Sequence, residues 1–155
     1  MTFQIHALPR ETFAPLFDLD ETALASRHAR WQIAESSPGW PCRVSLADAD
    51  KGERLLLVNH EHLGGDSPYR ASHAVYVRQN AAQARPEPGE VPDVIGRRLI
   101  SLRAFGSDRM MVGADVVEGA AITPAIEAML ADDRVAEVHL HIAGPGCYLA
   151  RATRA

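Results

Sequence analysis

A chain of 155 residues with 46% hydrophobic and 23% charged residues has the size and apolar content of one folded core, which excludes a disordered chain and leaves two separate domains too thin to fill. The net charge is −4 and the basic residues are scattered, adjacent only at Arg97-Arg98, which excludes a surface that tracks nucleic-acid phosphates. No apolar run nears the ~18 residues of a membrane span, and Met1-Thr-Phe-Gln-Ile-His lacks a basic, apolar leader, so the expected location is cytoplasmic.

Phe3, Ile5 and Ala7 alternate with Thr2, Gln4 and His6 as in a half-buried strand, stopped by Pro9. Phe13, Leu16 and Phe17 have helical spacing interrupted by Pro15, and Asp20 is placed to cap a second short helix reaching Arg27. Trp31 and Ile33 continue as a strand that ends in the turn cluster Ser36-Ser-Pro-Gly-Trp-Pro41, where the chain must turn just before Cys42-Arg43-Val44-Ser45-Leu46. The apolar run Arg54-Leu-Leu-Leu-Val-Asn-His60 predicts a central strand, and the β-branched and aromatic run His73 to Arg78 predicts another.

Residues 80–92, polar and carrying three prolines, have the composition of a lid. Leu99–Phe105 and Met110–Val117 flank Gly106-Ser-Asp-Arg109 as a hairpin. Thr123-Pro124 reads as an N-cap and first helical position, with Ile122, Ile126, Met129 and Leu130 on one face. From Val135 to Ile142 the pattern alternates, with Val138, Leu140 and Ile142 on one side and Glu137, His139 and His141 on the other, before a Gly144-Pro-Gly146 turn and a last strand. Strands without regular βαβ alternation predict an α+β fold over residues 1–155, with a mostly antiparallel sheet and a few short helices.

Chemistry concentrates on histidine. Five of the seven histidines fall at three strand positions: His60 and His62, His73, and His139 and His141. An H-x-H pair on one strand face can present two imidazoles to one divalent ion, so His60, His62, His139 and His141 are candidate metal ligands, with Glu137 close by. The competing reading is a half-exposed sheet face whose histidines are satisfied by carbonyls. Arg43, Tyr69, Arg70 and His73 are candidate contacts to a small anionic ligand, and the glycines of Leu63-Gly-Gly-Asp-Ser-Pro68 could add backbone donors. Were chemistry to occur, His73, His139 or His141 would be its acid or base. Ser72 and His73, adjacent on a strand, point to opposite faces and cannot form a nucleophile pair.

The elements Pro41-Cys-Arg-Val-Ser-Leu46, Gly52-Glu-Arg-Leu-Leu-Leu57, Ser67-Pro-Tyr-Arg-Ala-Ser-His73 and Pro145-Gly-Cys-Tyr148, in that order, resemble the small bacterial proteins grouped as domain of unknown function 1203. The resemblance runs over essentially the whole chain and implies no activity. Arginine supplies fifteen of the 16 basic residues, the usage of a GC-rich bacterial genome.

Three functions compete at this point: a His/Arg-lined pocket for an anionic small molecule, a divalent-metal site, and a non-enzymatic interaction module using Trp40, Tyr69, Met110 and Met111. A redox pair of Cys42 and Cys147 ranks below them, since two buried thiols are the commoner arrangement.

Overall fold

In chain order the strands are β1 (Phe3–His6), β2 (Ala29–Ile33), β3 (Pro41–Cys42), β4 (Ala47–Asp48), β5 (Arg54–Leu63), β6 (Ala71–Arg78), β7 (Leu99–Phe105), β8 (Met111–Glu118), β9 (Glu137–Ile142) and β10 (Tyr148–Arg154). The helices are α1 (Arg10–Phe13), α2 (Glu21–Ser26), α3 (Asp93–Gly96) and α4 (Ile122–Leu130). This computed structural model describes residues 1–155, and the fold is α+β.

The strands divide into two five-stranded sheets, ordered β1-β10-β9-β7-β8 and β2-β5-β6-β3-β4. Every pairing is antiparallel except the single contact of β3 with β6 at Cys42 and Tyr76. In the first sheet, Phe3, Ile5, Ile100, Leu102, Ala104, Val138, Leu140, Ala150 and Ala152 lie in one buried cluster with Ile122, Ile126 and Leu130 of α4. The other side of that sheet carries Ser101, Arg103, Glu137, His139, His141 and Arg151, the alternate residues of the same strands. In the second sheet, Leu56, Val58, Val75 and Val77 join Phe13, Leu24 and Leu8 in a second cluster. Two residues cross over: Leu46 reaches the first cluster, and Tyr148 of β10 belongs to the second. The polar side of the first sheet therefore meets one end of the second sheet instead of solvent.

Local signals hold where they are strongest. Asp20 Oδ1 accepts from Ala23 N at 2.8 Å and caps α2. Pro15 ends the first helix as expected, leaving a short 3-10 turn at Ala14–Leu16. Thr123 does not cap α4: the helix begins at Ile122, after a 3-10 turn at Gly119–Ala121 that already supplies its first turn. Gly119 is required there, because a side chain would collide with the Ile95 carbonyl oxygen of α3.

After the turn cluster only the two-residue strand β3 forms, since Arg43 turns inward and Leu46 adopts φ +47°. The segment expected as a lid is tied down: Gly89 N donates to Phe3 O, Ala84 N to Val44 O, and Gln4 Nε2 to Pro86 O.

Candidate metal centre

The apolar stripe of β5 that begins with Leu56 and Val58 continues, at the same period of two, as His60 and His62. On β6 the stripe of Val77 and Val75 continues as His73, directly across from His60. These rings thus extend a core-facing row, and an irregularity in register between Glu61 and Leu63 re-aims the chain at His62. From the first sheet, His139 and His141 of β9 project toward them with 1% and 0% of their surface exposed.

The rings of His62 and His73 stack with centroids 4.8 Å apart and planes 8° from parallel. His141 stands edge-on to both, at 4.9 Å from His62 and 5.2 Å from His73. One nitrogen from each of the three lies within 4.8 Å of the others. A tetrahedral ion with metal–nitrogen bonds of about 2.1 Å sets its ligands about 3.4 Å apart, so the rings stand at most about 1.4 Å wider than a bound ion would draw them. His62 Nε2, His73 Nδ1 and His141 Nε2 are all buried and have no hydrogen-bond partner. Buried polar atoms are otherwise almost always paired, and three unpartnered nitrogens on three adjoining rings form a cluster that calls for a ligand.

The surrounding bonds set the tautomers. Glu137 Oε2 accepts from Arg151 Nη1 at 3.0 Å, and Glu137 Oε1 accepts from His139 Nε2 at 2.9 Å. In the tautomer that donates Nε2–H to Glu137, His139 has Nδ1 free to accept from His62 Nδ1 at 3.1 Å. His62 Nε2 is then a bare lone pair. His141 Nδ1 donates to Gly146 O at 3.0 Å, which likewise leaves Nε2 bare. Burial, reinforced by the neighbouring imidazoles and Arg103, pushes the pKa of His62 down to about 3. Burial also lowers His141 to about 3, against the opposing effect of its bond to Gly146. Glu137 is held near 2, chiefly by the hydrogen bond from His139, with Arg151 adding to it. The centre thus holds the imidazoles of His62 and His141 with Nε2 bare, beside the unpartnered Nδ1 of His73, and His62 is oriented by a carboxylate–histidine relay of the kind that surrounds metal-bound histidines.

The expected residues divide. His62 and His141, from the metal set, converge; His73, expected to contact ligand or to act in catalysis, is the third member. His139 lies one layer out, with both nitrogens engaged. His60 turns to the Phe13 ring, 5.5 Å away. Arg43 is sealed at 1% exposure and donates to Tyr148 O, Pro41 O and Cys147 Sγ. Tyr69 is exposed and meets Phe105 edge-on, while Arg70 pairs with Glu61 at the surface. Trp40 packs on Tyr76, and Met110 is 41% exposed. Cys42 and Cys147 are both free thiols.

The two largest clefts, of about 610 and 690 Å³, are lined by none of the expected site residues. Arg103 and Tyr148 were not foreseen. Arg103 lies opposite His139 in the β7–β9 register, and Tyr148 stacks on His62 at 5.1 Å. Strand pairing reveals Arg103, because β7 and β9 are separated by more than thirty residues of chain, and only the packing of one sheet on the other reveals Tyr148.

Residues 39–154 match the model of a family described as a protein of unknown function, DUF1203. The chain belongs to that family. No curated protein and no solved structure matches it. The family segment includes His62, His73, Arg103, Glu137, His139, His141 and Tyr148, and omits β1, α1, α2 and β2.

Proposed function

We propose that this family member binds one divalent transition-metal ion between its two sheets, through His62 Nε2, His73 Nδ1 and His141 Nε2. The observation that carries the reading is the convergence of three buried imidazole nitrogens, none with a hydrogen-bond partner. Imidazole suits zinc and its neighbours in the first transition row, and the absence of carboxylate or other oxygen ligands argues against calcium or magnesium. Three protein ligands leave a fourth position open, the arrangement of catalytic zinc sites and not of structural ones, which close all four. An ion there would supply Lewis acidity and an acidified water. The protein's own part is to hold the rings: His139 and Glu137 fix His62, and the Gly146 carbonyl fixes His141.

The setting is that of a bacterial cytoplasmic protein, supported by an arginine-rich, lysine-poor composition and by two free thiols. No helix is long and apolar enough to cross a membrane.

The test is elemental analysis and zinc titration of protein purified without a histidine tag. We expect one equivalent of metal, and at least a hundredfold weaker affinity in His62→Ala and His141→Ala. His60→Ala should bind as the parent does. Less than a tenth of an equivalent, with no affinity on titration, removes the reading.

A further inference from the structure

The polar side of the first sheet holds a cation that the metal reading leaves without a partner. Arg103 projects from β7 on the same side as the histidines of β9, paired in register with His139, and Ser101 is paired with His141. Its only side-chain hydrogen bond runs from Nε to Ser101 Oγ at 3.4 Å, which draws the guanidinium along the strand toward His141. The terminal nitrogens, the fork that binds carboxylate or phosphate through two parallel hydrogen bonds, engage no protein acceptor. Glu137, the carboxylate beside the histidines on this face, is occupied by His139 and Arg151.

We propose that the open position of the metal centre takes a small oxyanion, a carboxylate or phosphate, held between the ion and the Arg103 guanidinium. This rests on the metal reading above. Three neutral imidazoles contribute no charge, so a divalent ion beside Arg103 makes a partly buried cluster of net charge +3, which Glu137, shared with Arg151, does not neutralise. An anion bridging ion and guanidinium removes most of that excess and gives both Arg103 terminal nitrogens an acceptor. Because neither large cleft opens on the site, the ligand is small, on the scale of a short carboxylic acid or inorganic phosphate.

The experiment uses full-length protein loaded with Co²⁺, whose visible absorption reports the coordination of the ion. Acetate and inorganic phosphate are titrated in turn against the parent, Arg103→Gln and Arg103→Lys. We expect saturable band shifts with at least one anion in the parent, and binding at least tenfold weaker in Arg103→Gln despite full cobalt uptake. Arg103→Lys, which keeps the charge but not the fork, should fall between. Which anion binds tighter distinguishes a carboxylate ligand from a phosphate one. Cobalt uptake with bands that ignore both anions overturns this inference alone, as does an Arg103→Gln protein that binds them as the parent does. Failure of the parent to take up cobalt overturns the metal reading and this one with it.

Discussion

His139 shows how one hydrogen bond allots roles among chemically identical rings. Both of its nitrogens are engaged, one by Glu137 and the other by His62, so it presents no free lone pair to the centre although it is as buried as His141. Its effect on an ion is indirect: it keeps the His62 proton on Nδ1. Replacing Glu137 by Gln preserves shape but removes the charge that holds the His139 proton, and it releases Arg151. Partners of this kind are worth about tenfold to a hundredfold in metal affinity. Glu137→Gln should therefore bind zinc about tenfold more weakly, against a hundredfold or more for loss of a direct ligand, measured by competition with a chelating dye. Affinity equal to the parent's would show that His139 holds His62 without the carboxylate.

The secondary-structure elements differ in how much of their surroundings their own residues declare. The α4 face of Ile122, Ile126 and Leu130 is spaced for one side of a helix, and all three residues are buried against the first sheet. Ile126→Ala should cost about 2–5 kcal/mol by opening a cavity there, read from the urea midpoint. Metal stoichiometry should stay unchanged, because α4 covers the side of the sheet opposite the histidines. Loss of metal at constant fold would mean that the two sides are coupled.

The alternation in β9 was equally plain in the sequence, yet it gave no sign of what covers its polar side. A row of Glu137, His139 and His141 reads as solvent-facing unless another sheet is known to lie on it. His62 and His73 carried a sign that went unused: each continues an apolar row, Leu56-Val58 on β5 and Val75-Val77 on β6, and a residue in such a row points inward whatever its polarity. Arg43 declared nothing. Its interior course depends on acceptors at Tyr148 and Cys147, more than a hundred residues further along the chain.

At the scale of the whole molecule, two sheets enclose an un-ionised polar layer, and acid should attack that layer first. His62 and His141 titrate near 3 in the fold but near 6.5 when unfolded, so between those values the unfolded chain binds the extra protons. The sign follows: their contribution is complete above pH 6.5 and is lost as pH falls toward 3. Glu137, also depressed, adds a later loss as pH drops below 4.5 toward 2. Metal-free protein should lose stability between pH 7 and 5 at roughly 1 kcal/mol per pH unit, followed by denaturant midpoints. A His141→Ala variant should show a shallower slope, and a midpoint flat from pH 7 to 5 in the parent would contradict the buried, neutral imidazoles.

Fold class and the strand-borne histidines were legible before any coordinates. The division into two sheets was not, because nothing local records which strands pair across the chain. That division has a thermodynamic corollary. His141 is preset within its own hairpin by the Gly146 carbonyl five residues on, whereas His62 and His73 arrive on a different sheet. An ion bridging them would act as a rivet between the two halves of the protein, recognising only their docked state, so that chelation would loosen the seam while leaving each hairpin intact.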